Sequence, residues 1–446
     1  MMVSLPSMDA IDMNVAVGTA LQNLLNGRLA LLAGAGLSMA APSQLPSAWT
    51  LAERAKAKYD ARYAGLLPPL PEQIEDQAEF FFNTGHLGSV YLTEYIDHNA
   101  FAGAPNPGHF AVADLLLAGA FRMAITTNVD QLIEAAGLNL HGQVFMGIDG
   151  HGLATAQAGT APLLKVHGCW VTDRFNTVWA PGQINASPVR ERIERSAIWL
   201  QANLLNKDLI VVGYSTDWDY LNAVLEQTLG VVAPSSVLII DPSSTADFTA
   251  KAPVLAALAD RSANAFHLQA SGADFLECLR RAYSESFLRV ALAQGATDFE
   301  LISGSPPDPG HLAAPATDLD SLWRMRRDLL GCRPGDPAGD RDPPNEPAVG
   351  LTLLELQAAG AVADGSYWRV NGRTVRVLRT PNAFLHRVEA DFARETAPSA
   401  AADIVVAVGA NEVHLHPSIA RSSTGTIARG GGSRWVIREG LEDAIT

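Results

Sequence analysis

The chain of 446 residues holds only three cysteines, Cys169, Cys278 and Cys332. They are too few and too scattered for a disulfide framework or a four-cysteine zinc site, so a reducing, cytoplasmic environment is expected. Long apolar runs are missing too. Near the N-terminus the most apolar stretch, residues 29–42, is interrupted by Gly34, Gly36, Ser38 and Pro42. A membrane span needs roughly 18 consecutive apolar residues, so neither a span nor a signal peptide is expected. Positive charge is scarce: 32 Lys and Arg stand against 47 Asp and Glu, a net charge of −15. Such a balance repels phosphate backbones and anionic lipid, so direct nucleic-acid binding is not expected.

What the sequence does have is enough apolar material, 48% of its residues, to fold as a globular protein of two or three domains. From residue 13 to about 286, short apolar runs alternate with helical periodicity, which predicts an α/β domain with a parallel sheet covered by helices. Its strands are predicted at residues 29–32, 122–125, 163–166, 209–212 and 237–240, near-continuously apolar as strands buried on both faces are. Helical spacing recurs at 114–120 and 189–205, and 51–97 reads as a helical lobe or lid broken at 67–71. The expected organisation is a catalytic domain over 13–290, a Pro/Gly-rich linker with one helix (319–330) over 291–348, and a small α+β module over 349–446. In that module a helix at 351–359 precedes alternating residues on either side of Asn371-Gly372, a pair that suits a two-residue type I′ hairpin turn.

Polar residues gather where the predicted strands end. Gly34-Ala35-Gly36-Leu37-Ser38 follows the first; its glycines permit a tight turn and close approach of main-chain N–H groups to a diphosphate, and Ser38 adds a donor. A dinucleotide fingerprint would have a third glycine where Met39 stands, and a ligand-free turn explains the same residues. Thr127-Asn128-Val129-Asp130 ends the second strand, where ligands of open α/β sheets bind, though Asn128 or Asp130 can equally cap the next helix. His167-Gly168-Cys169 ends the third. His167 can act as a general base or be satisfied by main chain; Cys169 lacks the orienting third group that a thiol nucleophile needs. Gly213-Tyr214-Ser215 and Asp241 close the last two, and a carboxylate at the latter place can hold a ribose diol. In the C-terminal part His414 and His416 alternate on one strand face without a third metal ligand, so no metal site is expected. Arg324, Arg326 and Arg327 read as a solvated helix face or as a surface for an acidic partner, and Trp323, Tyr367 and Trp368 as interface anchors or as core.

In order and approximate separation, Gly34-Ala35-Gly36-Leu37-Ser38, Thr127-Asn128-Val129-Asp130, Lys165-Val166-His167-Gly168 and Gly213-Tyr214-Ser215 resemble the sirtuin NAD-binding domain. Asn106-Pro107-Gly108-His109 and Trp199-Leu200 look more like the sirtuin-like domains of bacterial antiphage defence proteins. The resemblance covers about residues 13–285. It implies a Rossmann-like fold with NAD as substrate: Ala35, Gly36 and Ser38 at the diphosphate with Gly213 and Ser215 opposite, Asp130 at the carboxamide, Asn128 beside the nicotinamide ribose and His167 as base. Gly34, Thr127, Tyr214 and Asp241 complete the expected site. The zinc cysteines of protein-deacylating sirtuins are lacking, and Gln44-Leu45-Pro46-Ser47-Ala48-Trp49 replaces their Gly-Ile-Pro-Asp-Phe-Arg segment, so no zinc is expected and water is the default acceptor. The expectation is therefore an NAD glycohydrolase yielding nicotinamide and ADP-ribose. ADP-ribosyl or acyl transfer and a non-catalytic NAD or ADP-ribose sensor remain as alternatives. By the same resemblance the chain is expected to form a homo-oligomer or to act beside a second defence protein such as a hexameric DNA-translocating ATPase.

Overall fold

The computed structural model describes residues 8–155, 160–214, 219–230, 232, 234–393, 395, 402–412 and 433–446. The chain divides into two compact units, Met1–Leu279 and Arg280–Thr446. Among the described residues no helix is long and apolar enough to cross a membrane.

In the first unit eight strands form one sheet: β1 (Asp9–Ala10), β2 (Leu29–Ala33), β3 (Met123–Thr126), β4 (Val144–Gly147), β5 (Ala161–Lys165), β6 (Asp208–Val212), β7 (Ser236–Asp241) and β8 (Asn264–Gln269). All pair in parallel, in the order β1-β8-β7-β6-β2-β3-β5-β4. The five strands predicted from apolar runs are β2, β3, β5, β6 and β7, each within a few residues of its expected limits. The two-residue β1, the edge strand β4 and the polar-ended β8 complete the sheet; β4 has an apolar run of only three residues, Val144 to Met146, and β1 and β8 have none of that length. The fold is Rossmann-like, with its main core formed by Leu32, Ile125, Leu164, Val211 and Ile239 of the sheet and helical residues such as Ile193, Leu200, Leu225 and Leu255. From β2 the chain passes to β3, then to the edge strand β4, fills the place between them with β5, and returns to the other side of β2 as β6. Strand order therefore reverses between β2 and β6, the place where open α/β sheets bind ligands beyond their carboxyl ends.

At that reversal the main chains after β2 and β6 touch. Gly34 N–H donates to Val212 O at 2.9 Å and Gly36 N–H to Gly213 O at 2.8 Å. A Cβ on Gly34 would stand 2.5 Å from Gly213 O, while Gly213 has φ +62° and itself lies against Leu37 N. Loop-to-loop contact thus requires glycine here whether or not a phosphate approaches. The helical lobe follows β2: helices Ala48–Tyr63 and Ile74–Asn83, then a π-helix, Leu87–Tyr95. It has its own core, in which Leu51, Tyr59, Phe81, Tyr91 and Tyr95 meet Trp170 and Trp179.

The second unit has a five-stranded sheet, order β13-β12-β11-β10-β9, made from β9 (Val362–Asp364), β10 (Tyr367–Val370), β11 (Arg373–Phe384), β12 (Ile404–Asn411) and β13 (Arg434–Ile437). β10 and β11 pair antiparallel through Asn371-Gly372, both at positive φ (49° and 76°), as a type I′ turn demands. The helix Leu319–Leu330 has the predicted bounds. Residues 291–348 differ from the expected linker. The helix Gly272–Ser303 extends into them as far as Ser303, and Leu292, Phe299, Leu322, Met325 and Leu329 share one core with Val349, Leu354, Trp368 and Val375. Of the Pro/Gly-rich stretches, the first forms a 3₁₀ turn, Pro309–Leu312, and packs Leu312 and Ala314 against that core; in the second Ala338 is buried. Arg326 and Arg327 correct the solvated-face expectation: both are buried, their guanidinium carbons 4.8 Å and 5.0 Å from the ring centroids of Tyr283 and Trp323, and Arg327 also donates to the carbonyls of Arg333 and Asp336. Only Arg324 of the three is exposed. Trp323 and Trp368 are core residues of this unit rather than exposed anchors, and Tyr367 is half-buried. His414 and His416 lie outside the described residues.

The glycine contact makes a testable claim about stability. Gly34→Ala, whose new methyl meets main chain at 2.5 Å, is expected to cost about 1–3 kcal/mol. Gly18→Ala, in the interior of helix Met13–Leu25 with nothing within 4 Å of the added carbon, should be neutral or stabilising by up to about 1 kcal/mol. Thermal unfolding of both variants checks the contrast.

Candidate functional site

A cleft opens beyond the ends of β2, β3 and β5, with about 700 Å³ of space that includes the solvent at its mouth. Ala35, Ser38, Thr127, Asn128, Asp130 and His167 form one wall; Leu45, Leu51, Ile74, Phe101, Val178 and Trp179 form the apolar remainder. The structure thus brings together six residues predicted from three separate strand ends. It sets others apart. Gly34, Gly36, Gly213 and Tyr214 are not in this wall and belong to the neighbouring loop contact or the core. Asp241 ends β7, where its carboxylate accepts from the Ser243 N–H at 2.8 Å and from the Ser243 hydroxyl. Ser215 lies outside the described residues. Cys169 is wholly buried and accepts from Gln131 Nε2 at 3.3 Å.

Ser38 is the hub of the polar wall. Its hydroxyl donates to Asp130 Oδ2 at 2.9 Å and accepts from Asn128 Nδ2 at 2.9 Å, with His109 Nε2 at 3.1 Å. His109 Nδ1 accepts from the Asn106 N–H at 3.1 Å, so the proton of a neutral ring is on Nε2 and points at Ser38. One donor and two acceptors are all a hydroxyl has, and here each is used. Ser38, expected to contact phosphate, instead orients two other side chains. Sequence reading passed over His109 as a site residue. Asn106 and His109 form a capping box at the start of helix Pro107–Leu117, with histidine where Glu or Gln is usual. That motif was visible as Asn106-Pro107-Gly108-His109, but nothing in it tells that the ring would reach Ser38.

With its amide nitrogen held by Ser38, Asn128 presents Oδ1, a buried acceptor without a partner among the described residues. His167 presents a second. Its ring bonds to the main chain of Thr127, and Nε2 has no partner among the described residues, so Nδ1 is the donor and Nε2 carries the free lone pair. Burial, reinforced by the nearby Arg192 guanidinium, pushes the His167 pKa down to about 3; burial likewise holds His109 down at about 4, against the opposing pull of Asp130. Both rings are neutral near pH 7. A buried unpaired acceptor costs about 1–3 kcal/mol, so two of them lining one cleft favour a ligand that offers hydroxyl or N–H donors. Asp130 adds a carboxylate whose Oδ1 already receives the Leu132 N–H at 3.0 Å. Among the described residues no group of three or more His, Cys, Asp or Glu is arranged to hold a metal ion.

Residues 122–252, which include β3 to β7, match a family described as SIR2-like domain. Among curated proteins no sequence matches. Solved structures with similarity include a Sir2 homologue in complex with NAD, at 18% identity over 61% of this chain and 94% of that one, TM-score 0.35. Another comes from work on the mechanism and regulation of Sir2 enzymes, at 16% identity over 61% of this chain and all of that one, TM-score 0.32.

The depressed histidines give stability a pH dependence. Between about pH 4 and 6.5 the unfolded chain binds protons that folded His109 and His167 refuse, so stability falls as pH is lowered through this window. The slope is at most about 1.4 kcal/mol per pH unit for each histidine. In calorimetry between pH 4.5 and 7.5, His109→Gln and His167→Gln should each flatten the dependence of Tm on pH; an unaltered slope in both would show that these rings titrate normally.

Proposed function

We propose that the chain is an NAD hydrolase, releasing nicotinamide and ADP-ribose. The observation that carries this reading is the pair of unpartnered acceptors, Asn128 Oδ1 and His167 Nε2, lining one cleft at the strand ends. A ribose diol supplies two hydroxyl donors to such a wall. The match of residues 122–252 to a SIR2-like domain, and the motif resemblance over a longer stretch, support NAD as the source of that ribose.

In the proposed reaction the bond between ribose C1′ and the nicotinamide nitrogen breaks, its electron pair leaving with the now neutral nicotinamide. The oxocarbenium-like centre is then captured by water, which loses a proton, so the products are nicotinamide, ADP-ribose and H⁺. Neutral acceptors stabilise the developing positive charge by drawing on the ribose hydroxyl protons. With a pKa near 3, His167 works better as a fixed acceptor than as a base for bulk water. Asp130 faces the leaving carboxamide in this reading, and the apolar wall of Leu51, Ile74, Phe101 and Trp179 suits the flat ring. The diphosphate lies toward Ala35. Uncontrolled, such an activity would exhaust the cell's NAD; we therefore also propose that it serves antiphage defence and is held off by assembly, in a homo-oligomer or with a partner such as a hexameric DNA-translocating ATPase.

The test is the purified full chain with NAD, alone and with a candidate partner. Nicotinamide and ADP-ribose should appear in equal amounts. Asn128→Ala and His167→Ala should each lower turnover by about 10²-fold or more; full activity in both overturns the reading. Nicotinamide released in step with a modified protein would mean transfer instead, and tight binding with NAD left intact would mean a sensor. Light scattering on the same sample should report an oligomer, and a monomer at all concentrations contradicts control through self-association.

A further inference from the structure

Directly behind the polar wall stands a fully buried cation. Lys165, the last residue of β5, is 1% exposed, and its ammonium donates to the main-chain oxygen of Asp130 and, at 2.8 Å, to Oε1 of Glu134. β5 lies beside β3 in the sheet, with Lys165 in register with Thr126, so this side chain crosses from the end of one strand to the loop that follows the other. Those two strand ends supply the two free acceptors of the site. Thr127, Asn128 and Asp130 follow β3; His167 comes two residues after Lys165.

We propose that Lys165, neutralised by Glu134, is a positioning residue: it holds the loop carrying Asn128 and Asp130 at a fixed distance from the loop carrying His167, and so keeps the two free acceptors in one arrangement. Burying an ammonium is costly unless it is paired, and an apolar side chain would fill the same space without that penalty. What an apolar side chain cannot do is hold a main-chain carbonyl. The loop has other ties, none of which reaches that carbonyl: Thr127 N–H to Ala33 O at 3.1 Å, Trp170 N–H to Val129 O at 2.9 Å, the Ser38 hydroxyl to the side chains of Asn128 and Asp130, Gln131 Nε2 to Cys169 Sγ at 3.3 Å, and the His167 ring to the main chain of Thr127. Lys165 is the side chain that reaches the carbonyl of Asp130 itself.

The experiment separates positioning from structural pairing, and its turnover readout rests on the hydrolase reading. In the full chain, Lys165→Met alone leaves Glu134 unpaired and should lower Tm. The double variant Lys165→Met, Glu134→Met removes both charges and, if it packs well, restores Tm. Expected in the double variant are hydrogen exchange of the amides of residues 127–132 about tenfold faster than in the unsubstituted chain, and a kcat for nicotinamide release at least about tenfold lower with KM changed far less. Wild-type exchange and wild-type kcat in a double variant of restored Tm overturn the proposal. Should the double variant fail to fold, Glu134→Gln and Lys165→Gln decide: the first keeps the lysine on Asp130 O and should loosen residues 127–132 less than the second, and equal loosening overturns the proposal. An unsubstituted chain that releases no nicotinamide under any condition counts against the hydrolase reading, while the exchange measurement still decides the role of Lys165.

Discussion

Every strand of the large sheet runs in the same direction, and that one constraint delivers all its carboxyl ends to a single edge. An apolar strand buried on both faces has nowhere to put a polar side chain except at its end. Three neighbouring strands, β2, β3 and β5, therefore present Ser38, the pair Asn128 and Asp130, and His167 to one space although the three strand ends are far apart in sequence. The apolar half of the cleft comes from the helical lobe and from residues 178–179. A wall that orients polar atoms thus faces an apolar one.

That constraint also explains what could be read in advance. Buried parallel strands such as Leu209–Val212 leave unbroken apolar runs, and the residues after them were recognisable as a set because each was small or polar. β8, Asn264–Gln269, begins and ends in exposed polar residues and includes a buried histidine, so it has neither an apolar run nor strict alternation. β1 is too short for any pattern. Within the site, residue types were legible and their partners were not. Ser38 looked like a phosphate ligand because serine after a glycine turn often is one; that its hydroxyl is saturated depends on His109, 71 residues away in sequence and one hydrogen bond away in space.

The second unit shows the converse limit. A helix carrying Arg324, Arg326 and Arg327 reads as a charged face, yet two of the three lie inside, over the rings of Tyr283 and Trp323. Arg376 is buried as well, bidentate on Asp328 at 2.7 and 2.8 Å and bonded to Glu395 at 2.6 Å. Guanidinium groups are tolerated in such places when their planes stack and their donors find oxygen, and both conditions depend on tertiary neighbours that no local pattern reveals. Composition predicted a linker where the chain instead folds one core from the helix Gly272–Ser303 onward into the sheet of β9 to β13, because Pro and Gly exclude regular structure without excluding burial.

The hydroxyl of Ser38 has one proton, and it points toward Asp130. The relay from Asn106 through His109 and Ser38 to Asp130 is consequently polarised in one sense, and with it the amide of Asn128 cannot turn over without leaving two like groups face to face. At Asn128 Oδ1 and His167 Nε2 the cleft accepts hydrogen bonds and does not offer them. A guest that brings only lone pairs there, a bare carboxylate or phosphate oxygen, meets lone pairs in return. The wall by itself favours a guest that donates hydrogen bonds over one that only accepts them.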